Sequence, residues 1–233
     1  MRARGVAGCA EYSAILDSDA HEYDRLMRSL TVNVTKFFRN WETYSAVAQK
    51  VVPALMDGRR REVRVWSAGC ATGEEPTSIA ILVHRHAATL NAPGRLDSVS
   101  IVGTDIDKTC LDHAQRGLYQ ESALGDTPTE IRDQYFRDAS GFVTVVPEAR
   151  QLVRYEQADL LQFRAPVESP DLIVCRNVVI YFERAAQDAL FAHFYETLAP
   201  GGYLVLGKVE TLLGPTRALF TPVNARERIF QKT

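Results

Sequence analysis

The chain has 233 residues, 46% hydrophobic and 24% charged, with 27 basic against 29 acidic side chains and a formal charge of −2. That length suits one α/β domain with a substantial core plus an appendage, and the charge balance gives no electrostatic case for nucleic acid. No apolar run is long enough to span a bilayer and no signal-peptide pattern is present, so no membrane insertion and a cytoplasmic location are expected.

In chain order, residues 10–30 place Tyr12, Ile15, Leu16, Tyr23, Leu26, Met27 and Leu30 at helical spacing, predicting a short helical preface. The approach Thr31-Val32-Asn33-Val34-Thr35-Lys36-Phe37-Phe38-Arg39-Asn40 reads as an extended, polar-interleaved loop anchored by its two phenylalanines. A helix follows over 41–56, with Asn40 as N-cap and Pro53 near its end. The chain then alternates: strand 63–67, helix 74–88, strand 99–104, helix 108–119, strand 152–157, strand 171–175, helix 184–198, strand 203–206, and two more strands ending near 231.

Alternating elements imply a doubly wound, mostly parallel sheet that binds ligands at the carboxyl ends of its strands. The expected organisation is an N-terminal helical region and linker at 1–58 and a catalytic domain at 59–233. A small β insertion at about 121–150 interrupts the alternation beside the crevice.

The most informative segment is Val65-Trp66-Ser67-Ala68-Gly69-Cys70-Ala71-Thr72-Gly73-Glu74-Glu75-Pro76. A short strand runs through a glycine-flanked turn straight into a helix, whose first N–H groups face the turn. In dinucleotide-binding folds that geometry holds a pyrophosphate. Here two glutamates occupy the first helical turn and would repel a phosphate. A ligand with an ammonium or sulfonium fits better, and S-adenosylmethionine carries both. The same turn also reads as a plain strand–helix corner whose glutamates favour the positive helix end.

Successive strand ends supply polar groups in order. Asp105, in Gly103-Thr104-Asp105-Ile106-Asp107, is placed to accept from two ribose hydroxyls, with Asp107 the better helix N-cap. Asp159 follows the next strand, where it serves an adenine amino group or caps a turn. Asn177, in Cys175-Arg176-Asn177-Val178-Val179-Ile180-Tyr181-Phe182, stands where a methyl group would be delivered. Cys9, Cys70, Cys110 and Cys175 show neither a C-x-x-C pair nor ligand-spaced histidines, so neither a disulfide framework nor a metal site is expected.

Together, N-x-T-x-F-F-R, V-W-S-A-G-C-A-T-G-E-E-P, T-D-I-D and C-R-N-V-x-I-Y-F resemble the CheR-type chemoreceptor methyltransferases over about 31–207. The resemblance implies a class I (Rossmann-like) methyltransferase fold. It also implies methyl transfer from S-adenosylmethionine to glutamate carboxylates of chemotaxis receptors, leaving S-adenosylhomocysteine.

Residue by residue, the resemblance implies cofactor contacts at Asn33, Thr35, Arg39, Gly69, Glu75, Asp105, Asp159, Asn177 and Val178. Catalytic roles fall to Arg39 and Tyr181. The implied partner is a chemoreceptor cytoplasmic domain or another protein carboxylate, met by a monomer. Members of the family carry a longer N-terminal helical domain, a longer insertion near 138–142, and G-H-S-E where this chain has Gly207-Lys208-Val209-Glu210. Two rivals remain: a methyltransferase of the same fold acting on another protein or a small molecule, and a non-catalytic cofactor-binding regulatory module. The presence of both Arg39 and Tyr181 argues against the second.

Overall fold

The computed structural model describes residues 6, 8–19, 21, 22, 26, 35–212 and 214–233. The chain divides into two compact units, Met1–Val34 and Thr35–Thr233. The first contains helix α1 (Cys9–Ser18), beyond which the Tyr12 hydroxyl donates to Glu22 Oε1 at 2.9 Å. Of the other expected preface positions, Tyr23, Met27 and Leu30 lie outside the described residues, as does Asn33.

In the second unit the helix expected at 41–56 is broken into three: α2 (Trp41–Ala46), a π turn (Val47–Val51) and α3 (Val52–Leu55). Pro53 accounts for the break. It has no N–H to give Gln49, and its ring presses on that carbonyl, so the preceding turn widens. The alternating core follows as β1 (Val63–Ala68), α4 (Glu74–Thr89), β2 (Val99–Asp105) and α5 (Lys108–Arg116). Helix α5 ends three residues before the expected 119 because Gly117, at φ 64°, turns the chain and donates to His113 O.

The insertion comprises α6 (Thr129–Tyr135), the hairpin β3 (Phe136–Ala139) and β4 (Phe142–Val145), and α7 (Pro147–Arg150). Tyr119 pairs with Val143 on the outer edge of β4. The sheet resumes with β5 (Val153–Gln157), β6 (Leu172–Cys175), helix α8 (Arg184–Thr197), β7 (Tyr203–Leu206), β8 (Phe220–Asn224) and β9 (Ile229–Lys232).

Seven strands form one sheet in the order β5-β2-β1-β6-β7-β9-β8, parallel from β5 to β7 and antiparallel at β9 and β8. Every residue of β6 and β7 is buried, as expected of parallel strands covered on both faces. Side chains alternate between two cores. Val65, Ile101, Leu172, Val174 and Val205 join α4 and the α2–α3 region on one face. Trp66, Ala68, Ile173, Leu204 and Leu206 meet Leu190, Phe191 and Phe194 of α8 on the other. After β1 the chain builds β2 and β5 on one side, then returns to lay β6 on the other. The switch point between β1 and β6 opens a crevice at the strands' carboxyl ends.

Candidate functional site

The turn after β1 is tied down before any ligand is considered. Gly69 (φ 79°) and Cys70 both donate to Thr104 O of β2, at 2.8 and 2.9 Å, and Ala71 and Gly73 follow at φ 46° and 90°. A Cβ on Gly69 would sit 2.4 Å from Val178 Cγ2, so glycine lets the turn lie against the loop after β6. Ala71 N–H donates to Asp105 Oδ2 at 2.8 Å and Asp107 N–H to Oδ1 at 2.9 Å. Asp105 is therefore also the latch between two strand ends. Its two oxygens offer roughly four acceptor positions, so acceptor capacity remains beside the backbone donors. Burial raises its pKa, against the backbone donors that lower it. Asp107 caps α5 as expected, accepting from Thr109 and Cys110 N–H.

Glu74 and Glu75 are both buried at the start of α4. Thr72 Oγ1 donates to Glu74 at 2.7 Å, and Ser67 Oγ donates to Glu75 Oε1 at 2.9 Å. Burial pushes the Glu75 carboxyl up to about 7, with Arg176 the main opposing influence and Arg39 a weaker one. Glu75 thus sits at the crevice as a buried acid whose principal counter-charge, Arg176, is 3.8 Å away.

Arg176 is the organising residue that sequence reasoning passed over. Its guanidinium donates to Arg39 O at 2.9 Å and Asn40 Oδ1 at 3.0 Å, and lies 5.2 Å from the Tyr44 ring centroid. It therefore joins the end of β6, the start of α4 and the 35–40 approach in one buried cluster. The available signal was an arginine immediately following four buried strand residues, where a charge requires partners. Asn40 occupies the N-cap position of α2, but in the left-handed region (φ 62°) and without a capping bond. Its carboxamide is committed to Arg176 instead.

The other expected residues fall as follows. Thr35 and Arg39 are half-buried, in an approach anchored by Phe38 N–H donating to Ser78 Oγ of α4 at 3.0 Å. Phe37 packs edge-on against Tyr119 and Phe136, which ties the approach to the insertion. Asp159 caps the 3-10 turn Leu160–Gln162 through Leu161 N–H at 2.9 Å. It stands beside Ala158, whose N–H donates to Asp105 O. Asn177 (φ 61°) and Val178 form the loop after β6, and Tyr181 projects from the following 3-10 turn, 59% exposed. Asn33 is outside the described residues. Glu210, which sequence reasoning noted only as part of a divergent motif, accepts from Asn177, Val178 and Val179 N–H.

The residues present fit S-adenosylmethionine. Asp105 accepts from the glycine turn, Glu75 is a buried carboxyl at the start of the helix that turn opens, the backbone lies close at Gly69, and among the described residues the buried Arg176 Nε has no acceptor. Among the described residues no group of three His, Cys, Asp or Glu is placed to hold a metal. The four cysteines are free, and no described helix is long and apolar enough to cross a membrane.

A seven-stranded, mostly parallel sheet with this crevice is the class I methyltransferase fold. Residues 33–229 match the CheR methyltransferase SAM (S-adenosylmethionine)-binding domain, and the chain belongs to that family. It is 33% identical over 99% of its length to an uncharacterized 104.1 kDa protein of Rhodobacter capsulatus, of which it spans only 24%. It is also 33% identical to a chemotaxis protein methyltransferase of Listeria innocua, over 88% of this chain and 75% of that one. A chemotaxis protein methyltransferase of Escherichia coli is 34% identical over 90% of this chain and 72% of its own. The cofactor is accordingly S-adenosylmethionine.

Proposed function

We propose that the chain methylates glutamate side chains of chemotaxis receptors, forming protein-glutamate methyl esters with S-adenosylmethionine as donor. The observation that carries this reading is the convergence of Glu75, Asp105, Arg39 and the Asn177–Val178 loop at the β1 and β6 strand ends, joined through Arg176, the Ala71–Asp105 bond and the close approach of Val178 to Gly69. In it, Glu75 holds the cofactor's cationic end, Asp105 its ribose and Asp159 its adenine. Gly69, Thr35, Asn177 and Val178 shape the remaining wall.

Bound S-adenosylmethionine supplies an activated methyl group. A glutamate carboxylate, with a reference pKa of about 4.3, is ionised at neutral pH and needs no general base to accept it. The residues' task is therefore orientation, which is worth up to about 7–11 kcal/mol when ideal. Arg39 can pair in bidentate fashion with a carboxylate, either the acceptor glutamate's or the one at the cofactor's methionyl end. Tyr181 is exposed on the 3-10 turn after β6, and Ile180 beside it and Val209 after β7 are exposed too, which gives this reading an open apolar edge at the strand ends. That edge is where a protein side chain can reach the methyl group.

Labelled methyl transfer to receptor cytoplasmic fragments tests the reading, and the label should reach protein. Transfer to small molecules only would redirect it to another acceptor. Cofactor binding without any transfer would support a regulatory module.

A further inference from the structure

After β7 the chain runs Gly207-Lys208-Val209-Glu210, and Glu210 turns back toward the end of β6. Its carboxylate, 4% exposed, accepts four backbone N–H groups. Oε1 takes Val178 and Val179, both at 2.9 Å, while Oε2 takes Asn177 at 3.0 Å and Gly207 at 2.6 Å. Three of the four donors belong to the loop that carries Asn177 and Val178 and leads, two residues on, to Tyr181. Asn177 is held there at φ 61°, a conformation that L side chains rarely adopt unless their surroundings enforce it. Gly207 completes the fit. A Cβ at that position would lie 2.7 Å from Glu210 Oε2 and 2.9 Å from Asn177 N.

We propose that Glu210 is a positioning residue for methyl transfer. It fixes the Asn177–Tyr181 loop from behind, so that the loop meets cofactor and acceptor in one geometry. This rests on the methyl-transfer reading above. Glu210 touches neither reactant, and it acts by satisfying three consecutive backbone donors that would otherwise be unpaired or rearrange.

The test is Glu210→Gln. An amide has one acceptor oxygen, and its NH2 faces donors, so two of the four bonds are lost in either orientation. Hydrogen exchange at the Asn177, Val178 and Val179 amides should speed up by about ten-fold or more. The kcat should fall by about 30- to 100-fold, as a misplaced reacting group does, while KM for the protein acceptor stays within about three-fold. Lys208→Ala changes the same turn at a surface residue that pairs with Glu42 and Glu227, and should keep wild-type exchange and kcat. If Glu210→Gln does not fold, Gly207→Ala crowds the same contact from the other side and should give the same split.

Unchanged exchange at 177–179 would show that the carboxylate does not hold the loop. Faster exchange with wild-type kcat, or with kcat and KM shifting together, would reduce Glu210 to a structural role. Should the wild type methylate no carboxylate, the functional reading fails separately. The clamp is then judged on exchange and on S-adenosylhomocysteine affinity, which should weaken in Glu210→Gln and not in Lys208→Ala.

Discussion

Taking the protein from pH 8 to pH 6 should weaken its grip on S-adenosylhomocysteine through one residue, Glu75. Burial raises that carboxyl to about 7, so ligand-free protein carries it mostly neutral at pH 6 and mostly ionised at pH 8. The ionised fraction falls from roughly ten in eleven to one in eleven, a ten-fold loss of the competent form worth about 1.4 kcal/mol. The ligand's own α-ammonium, beside its carboxylate, stays largely protonated over the same interval and offsets little. The net expectation is a roughly ten-fold higher Kd at pH 6, with proton release on binding near pH 6.5. Calorimetry in buffers of different ionisation enthalpy reads both quantities. Glu75→Gln should bind more weakly at pH 8 and lose the acid-side decline. The same shift has a sign for stability. The folded pKa lies above the unfolded one, so this group's contribution is fully present below about 4.5 and is lost as pH rises through about 7. Cofactor binding should therefore stabilise the protein more at pH 8 than at pH 6. Affinity that does not change between pH 6 and 8, or an unchanged decline in Glu75→Gln, would refute the assignment of Glu75 to the cofactor's cation.

Asp105→Asn should raise the cofactor Kd by about ten-fold or more, since a charged acceptor for two hydroxyls is replaced by a neutral one. By contrast, Asp107→Ala should cost about 1 kcal/mol of stability from the lost cap and leave the Kd unchanged; titration and thermal melts separate the two. Thr104→Val removes the acceptor of the buried Trp66 indole N–H, 2.8 Å away, and should destabilise by about 1–3 kcal/mol in denaturant melts. Receptor methylation should proceed equally with and without a C-terminal pentapeptide tether. The hairpin strands β3 and β4 are four residues each, and the outer edge of β4 is already paired with Tyr119, which leaves little edge for strand addition. A strong requirement for the pentapeptide in a methylation assay would contradict this.

The sheet was legible because Leu172-Ile173-Val174-Cys175 and Tyr203-Leu204-Val205-Leu206 are continuous apolar runs, and Val65-Trp66-Ser67-Ala68 is one broken only by Ser67, each closed by glycine or polar residues, the signature of strands buried on both faces. Asp107 as a helix cap was legible for a local reason, since a cap's partners lie two and three residues away. What escaped was set by distant contacts. Arg176 reaches Arg39 and Asn40, and Glu210 reaches Asn177, pairings more than thirty residues apart in sequence that no local pattern encodes. Asn40 carries the composition of a cap, yet its side chain is taken by Arg176. Strand β3 was missed because Phe136-Arg137-Asp138-Ala139 alternates too briefly to separate it from the end of α6. The π turn before Pro53 shows the reverse case: the proline was visible near the end of the expected 41–56 helix, but the break it causes was not.

The most direct measurement is incubation of the purified chain with methyl-labelled S-adenosylmethionine and a chemoreceptor cytoplasmic fragment, followed by mild alkali. The account predicts protein-bound label that alkali releases as methanol. It also predicts at least about a hundred-fold less label with Arg39→Ala or Tyr181→Phe, in variants that melt close to the wild type. Alkali-stable label, or full activity in both folded variants, would contradict it.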